Sequence, residues 1–165
     1  MRRLALLAVT LGLAVQALVF PATPALAESW LAYVNPRFGS VIEYPERFRA
    51  LRPPDNGDGQ AFEAADGARL TISGSHNIND DTPASYEKFL RESDDGAYAD
   101  VVYRASGTDW LVLSGRRNGE IYYERILFDQ AGETIHHLSI VYPAVLRNAY
   151  DPVVLRLSRS LRLAR

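Results

Sequence analysis

The sequence predicts a single α+β domain, with one largely antiparallel β-sheet of about 6–8 strands flanked by helices. Three features favour this class. Short apolar segments recur along the chain and are separated by turn residues such as Asp66-Gly67 and Asn118-Gly119. Most of the connections are too short for a parallel crossover, so neighbouring strands should be antiparallel. Helical patterns follow Pro83 and Pro152, where helices can cover the sheet.

The strongest local signal is a hairpin between Trp110 and Phe128. Its two apolar segments flank Asn118-Gly119, a dipeptide that favours a type I′ turn because both residues tolerate a positive φ. A two-residue turn also fixes the register, pairing Trp110 with Leu127, Leu111 with Ile126 and Arg117 with Glu120. Apolar residues lie on both faces of this hairpin, so we expect it inside the sheet and covered on two sides.

Four strands are predicted before the first helix. They cover residues 30–34, 38–44, 60–64 and 69–73. Pro45 ends the second strand because proline cannot donate to a ladder, and residues 45–48 should form one helical turn. Segments 52–59 and 74–81 contain the glycine, asparagine and proline typical of loops.

The first predicted helix begins at Pro83, with Thr82 as its N-cap. It is about three turns long. Tyr86, Phe89 and Leu90 form its apolar side, and Asp94-Asp95-Gly96 stops it. Further strands are predicted from residue 100 to 104, through the hairpin, and from 134 to 142.

The chain is predicted to close with two helices. The first, a short one, runs from Pro143 to Tyr150; Asp151 then caps a final helix opened by Pro152. The buried side of this final helix is predicted to carry Val153, Val154, Leu157 and Leu161. Its solvent face is predicted to carry Arg156, Arg159 and Arg162.

Residues 1–27 have the pattern of a secretory signal peptide, and 28–165 form the predicted domain. The basic start is Arg2-Arg3, the apolar stretch is 4–20, and the small-residue cleavage site is Ala25-Leu26-Ala27. An uncleaved anchor is the alternative, although about 17 apolar residues lie at the lower limit for a bilayer span. We therefore expect a periplasmic or secreted bacterial protein with no membrane span after signal cleavage.

Composition narrows the classes of partner and chemistry. The chain has no cysteine, which removes disulfides, thiol nucleophiles, cysteine metal sites and lipid attachment at a cleaved signal. Its 18 basic and 20 acidic residues give a net charge of −2. A mixed, mildly acidic surface gives no reason to expect nucleic acid as a partner.

The three histidines are the first candidates for chemistry. His136 and His137 are adjacent in a predicted strand, so their side chains should point to opposite faces. One of them could join His76 or Glu133 in a metal site, but zinc requires three or four converging ligands. The simpler expectation is that one histidine is half-buried and hydrogen-bonded and the other is exposed.

Calcium and serine chemistry have weaker support. The segment 55–59 resembles a calcium loop, yet its third and fifth positions are glycines rather than oxygen ligands. Ser114 lacks the glycine-flanked elbow of a hydrolase, and the neighbouring Gly115 should make room for Tyr122 on the opposite strand. The sequence therefore assigns no catalytic, metal-binding or cofactor-binding residue, and no cofactor.

The order of elements resembles the PsbP-like fold, which also includes bacterial envelope proteins of the DcrB type. The resemblance rests on the strand ending at Tyr44-Pro45, the Thr82-Pro83 helix, the hairpin from Trp110 to Phe128 and the closing helix. It covers nearly all of residues 28–165. Members of this group are accessory or binding proteins without a shared active site, so the resemblance implies a non-enzymatic role and transfers no functional residue.

We therefore expect an exported accessory or binding protein that contacts another envelope protein. A small-ligand carrier with an apolar pocket is the first alternative, and a metal-assisted hydrolase using His76 with His136 or His137 is the second. Binding should involve the loops 52–59 and 74–81, or the arginine face of the last helix. The aromatic candidates are Trp30, Tyr33 and Tyr150, because tyrosine and tryptophan are enriched in interfaces.

Overall fold

A computed structural model describes residues 28–92, 98 and 100–164. The elements run in this order: β1 (Trp30–Val34), β2 (Ser40–Pro45), β3 (Arg49–Ala50), β4 (Gly59–Glu63), β5 (Arg69–His76), α1 (Pro83–Arg91), β6 (Val101–Ser106), β7 (Trp110–Arg117), β8 (Glu120–Phe128), β9 (Thr134–Pro143), a 3-10 helix (Ala144–Leu146), α2 (Arg147–Ser160) and β10 (Arg162–Leu163). This content confirms the predicted α+β class.

The strands form two antiparallel sheets. The large sheet has seven strands in the order β3-β4-β5-β9-β8-β7-β6, and the small sheet has the order β1-β2-β10. The first two predicted strands thus form a separate sheet with the end of the chain. Ile42 on β2 is fully buried with Leu70 and Ile72 of β5, which places the small sheet against the large one.

The predicted hairpin is confirmed residue by residue. Asn118 and Gly119 have φ values of 51° and 80°, and the pairs Trp110–Leu127, Leu111–Ile126 and Arg117–Glu120 all occur. The hairpin is interior to the sheet and is covered on both faces. Ile121 packs with the core under α2, whereas Ile126 packs with Leu90 of α1.

Helix α1 begins as predicted. The Thr82 side chain accepts from the Ser85 backbone N–H, and the Ser85 hydroxyl accepts from the Thr82 N–H, which completes a capping box. The predicted stop at residues 94–96 lies outside the described part of the chain. The predicted helical turn at 45–48 is a simple turn in which the Phe48 N–H donates to the Pro45 carbonyl; the short strand β3 follows it.

The strand predicted to end at Ser73 continues to His76, so the predicted loop 74–81 begins later. Its partner β9 extends the ladder, pairing Gly74 with His136 and His76 with Thr134. A Cβ on Gly74 would lie 2.4 Å from the Phe38 Cβ, which explains a glycine inside this strand.

The closing segment differs most from the prediction. Helix α2 is continuous from Arg147, so Pro152 lies inside it and Asp151 is not its N-cap. Pro152 removes a single helical hydrogen bond, and the burial of Tyr150, Val153 and Leu157 on one side of α2 offsets that loss. Leu161 is buried as predicted, and Val154 is only half-buried.

Candidate functional site

His136 is held inside the domain. It faces the small sheet, where its Nδ1 lies 2.8 Å from the Ser40 Oγ and its Nε2 lies 3.1 Å from the Thr134 Oγ1. Only 1% of the residue is exposed. Burial lowers the pKa of His136 below its ordinary value, although Asp129 partly opposes this effect. With both ring nitrogens hydrogen-bonded, His136 is a structural residue.

His137 lies on the opposite face of the sheet, beside a buried carboxylate. Its Nε2 is 2.7 Å from the Glu124 Oε2. The two atoms are close but do not have the alignment of a hydrogen bond, and the contact is an ion pair only when His137 is protonated. Ser139 Oγ donates to the other Glu124 oxygen at 2.8 Å. We call these three residues the Glu124 cluster.

His76, the third histidine, does not form a metal site with His136 or His137 in the described part of the chain. Its ring meets the Phe38 ring edge-on, with centroids 5.2 Å apart. Over residues 28–92, 98 and 100–164, no three histidine, aspartate or glutamate side chains are placed to hold a metal ion. The expectation of one half-buried and one exposed histidine was wrong, because His136 is fully buried and His137 is largely covered.

The Glu124 cluster does not have the arrangement of a hydrolytic triad. In such a triad the imidazole lies between the hydroxyl and the carboxylate. Here the carboxylate of Glu124 lies between Ser139 and His137, so the imidazole does not take a proton from the hydroxyl. Sequence reasoning missed the cluster. The sequence pattern that could have revealed it is the alternation Tyr122, Glu124, Ile126, which places a carboxylate among apolar residues on the buried face of a strand.

The other sequence candidates are accounted for by packing. Ser114 Oγ donates to the Tyr122 carbonyl at 2.8 Å. A Cβ on Gly115 would lie 2.4 Å from the Tyr122 hydroxyl oxygen, which confirms that this glycine makes room for the tyrosine. In the segment 55–59, the Asp58 carboxylate accepts hydrogen bonds from the side chains of Arg37 and Asn56.

The aromatic and arginine candidates lie in different environments. Tyr150 is 1% exposed, so it was wrongly chosen as a surface residue. Trp30 is half-buried, and the Arg156 guanidinium lies 4.1 Å from its ring centre while pairing with Glu43. Arg162 is in β10 rather than on the last helix, so the predicted arginine face is divided between two elements.

One cleft combines exposed apolar and cationic side chains. It has a volume of about 150 Å³ and opens between β6, the β7–β8 hairpin and the start of α2. We call it the β6 cleft; its lining includes Val102, Tyr103, Arg116, Tyr142 and Arg147. Val102 is 75% exposed and Tyr103 is 56% exposed. Sequence reasoning missed this site because α2 and β6 are distant along the chain.

This arrangement, a seven-stranded antiparallel sheet between α1 on one face and α2 with a small sheet on the other, is a PsbP-like fold. The chain is similar to the cyanobacterial PsbP (CyanoP) of Synechocystis, with a TM-score of 0.60, 10% identity and coverage of 89% of this chain and 99% of that one. It is also similar to the Ran-binding protein Mog1p of Saccharomyces cerevisiae, with a TM-score of 0.61, 8% identity and coverage of 83% and 96%.

Sequence comparison adds no closer relationship. No family model matches the chain, and no match was found among curated proteins. At these identities the two structural matches establish the fold alone. In the described part of the chain, none of the helices has the length and apolar character needed to cross a bilayer.

Proposed function

We propose that this protein is an exported, non-enzymatic accessory or binding protein of the bacterial cell envelope that acts by contacting another envelope protein. The signal-peptide pattern of residues 1–27 supports export. The PsbP-like fold supports a binding role, because one of the similar structures is a Ran-binding protein. The β6 cleft supplies the surface.

The exposure of Val102 and Tyr103 beside Arg116 is the observation that carries this proposal. Tyrosine and arginine are enriched at the energetic centres of protein interfaces, where an apolar surface is buried next to a charge that can be paired. Arg147 at the start of α2 is itself paired with Asp151 at 3.6 Å. Arg116 is exposed on β7, so an acidic side chain from a partner can reach it.

The test is affinity recovery of the protein from its native envelope after mild crosslinking. The wild type should recover a discrete partner. A Tyr103→Ala/Arg116→Ala variant should lose most of that partner, because it removes both the apolar contact and the cation. Phe89→Ala is the matched control, since Phe89 is an aromatic residue that is 59% exposed on α1, outside the β6 cleft. It should recover the partner as the wild type does.

Two results would reject the proposal. The first is that the wild type, correctly exported and cleaved before Glu28, recovers no partner. The second is that the Tyr103→Ala/Arg116→Ala variant recovers as much partner as Phe89→Ala, which would place the contact elsewhere.

The two alternatives lack a comparable observation. A ligand carrier would use an apolar pocket between the sheet and its helices. On the α2 side, Leu138 and Leu157 are buried in one packed cluster, and on the α1 side Ile126 and Leu90 are buried in another. A metal-assisted hydrolase would need His76 close to His136 or His137 with further ligands, and the described residues supply no such group.

A further inference from the structure

Four strands lie at the outer positions of the two sheets, and three of them carry features that oppose pairing with another chain. Strands β3 and β10 have two residues each. Strand β6 is irregular between Val101 and Tyr103, and its Arg104 pairs with Glu87 at 3.3 Å. Short length, bulges and charges are the usual means by which proteins protect a sheet edge.

Strand β1 has none of these features. Its five residues, Trp-Leu-Ala-Tyr-Val, include no charge and no proline. Leu31 is 43% exposed and Val34 is 52% exposed. Within the described residues β1 pairs with β2 on one side only. An apolar, regular outer strand of this kind is a template for adding another strand.

The hydrogen bonds flanking β1 show which of its backbone groups face that free edge. The Asn35 N–H donates to the Ser40 carbonyl, and the Glu46 N–H donates to the Ser29 carbonyl. In an antiparallel pair, residues alternate between those bonded to the partner strand and those whose N–H and C=O point away from it. The odd-numbered residues of β1 are therefore the ones bonded to β2.

The middle of β2 agrees with this alternation. Glu43 lies opposite Ala32, and its N–H donates to the Ser160 Oγ at 2.9 Å, on the side of β2 away from β1. The N–H and C=O groups that point to the free edge therefore belong to Trp30, Ala32 and Val34.

We propose that β1 pairs in antiparallel register with β1 of a second copy of this chain, centred on Ala32. This register uses all three outward-facing residues of each copy and forms six hydrogen bonds between the chains, two for each hydrogen-bonded pair. Ala32 lies opposite Ala32 of the second copy, and Trp30 lies opposite Val34. The two small sheets become one continuous sheet.

The side chains of β1 suit pairing with a second copy of the same strand. Because β1 carries no charge, two-fold pairing brings no like charges together. The large Trp30 meets the smaller Val34, and the two small Ala32 side chains meet at the axis. On the other face, Leu31 of one copy lies opposite Tyr33 of the other, which covers the exposed Leu31.

The test is the oligomeric state of the mature protein, measured by sedimentation over a range of concentrations, with charges placed at Ala32. Ala32 is exposed, so Ala32→Lys and Ala32→Asp should leave the fold intact, as circular dichroism can verify. The wild type should form a dimer. Each variant alone should weaken the dimer by about two- to fivefold in Kd, because like charges then face each other across the axis.

An equimolar mixture of Ala32→Lys and Ala32→Asp should restore dimers that contain one copy of each. Val102→Lys on β6 is the control and should dimerise as the wild type does. A monomeric wild type would overturn the proposal, as would Ala32 variants that dimerise normally or a dimer disrupted by Val102→Lys instead. These results are independent of partner recovery through the β6 cleft.

Discussion

The Tyr150 hydroxyl donates to the Asp66 carboxylate, with its oxygen 2.9 and 2.8 Å from the two carboxylate oxygens. This contact joins α2 to the turn between β4 and β5. The Tyr150 ring stacks on Tyr142, with centroids 4.7 Å apart. Burial, followed by the hydrogen bond to Asp66, raises the pKa of Tyr150 to about 12.

Tyr150→Phe should destabilise the domain by about 1–3 kcal/mol at neutral pH, because it removes a hydrogen bond to a charged acceptor while keeping the ring. Urea unfolding measures this loss. Tyr103→Phe is the control: its hydroxyl is on an exposed residue, and the change should stay within about 0.5 kcal/mol.

The same pair predicts an alkaline effect. The folded-state pKa of Tyr150 lies above its unfolded value of 10.0, so its contribution is present below about pH 10 and is lost as the pH rises towards 12. The stability difference between the wild type and Tyr150→Phe should therefore shrink over that interval. A stability difference that stays constant as the pH rises from about 10 to 12 would show that burial and the Asp66 contact do not keep the Tyr150 hydroxyl protonated.

His136 predicts an effect on the acid side. Its folded-state pKa lies below the ordinary value of 6.5, so just below pH 6.5 this histidine is protonated more readily in the unfolded chain than in the folded chain. The stability due to neutral His136 is present above about pH 6.5 and falls as the pH drops below it. His136→Gln retains hydrogen-bonding groups but does not titrate. Its unfolding free energy should fall less than that of the wild type between about pH 7 and 5; identical slopes would contradict this assignment.

The turn at Asn118-Gly119 should be sensitive to alanine. Both residues have positive φ, and alanine disfavours that region, so replacing both with alanine should cost about 1–3 kcal/mol. Asn118→Gly is the control, since glycine adopts the same φ without strain. If the double-alanine variant and Asn118→Gly unfold at the same temperature, the backbone conformation of this turn does not stabilise the hairpin.

Gly115→Ala should destabilise the pairing of β7 with β6, the outer strand of the large sheet. The added Cβ would lie 1.9 Å from the Asp100 carbonyl oxygen and 2.4 Å from the Tyr122 hydroxyl oxygen. Relieving such overlap requires the backbone to shift, at about 1–3 kcal/mol. Ser75→Ala, at an exposed strand position, should change the unfolding free energy by less than about 0.5 kcal/mol. Equal unfolding midpoints for the two variants would contradict the close approach.

The features predicted correctly are those whose causes are local. Asn118-Gly119 sets a register through its own backbone preferences, and Thr82 caps a helix through contacts within three residues. The packing of Tyr122 over Gly115 follows from that register, since the two residues are directly paired.

The features that were missed depend on contacts distant in sequence. Pro152 and Asp151 are strong local signals for a helix start, but the buried face of α2 extends back to Tyr150 and keeps the helix continuous. The Glu124 cluster needs the β8–β9 register, in which Glu124 lies opposite Ser139. The β6 cleft requires α2 beside β6, and no local pattern specifies that placement.

The most direct test of partner contact is photo-crosslinking in living cells from position 103. A photoreactive phenylalanine analogue in place of Tyr103 should yield one discrete adduct with an envelope protein, because this side chain projects from the β6 cleft. The same analogue in place of Phe89, an exposed residue of α1 outside the cleft, should yield none. No adduct from position 103 in correctly exported protein, or the same adduct from both positions, would contradict a binding role for the cleft.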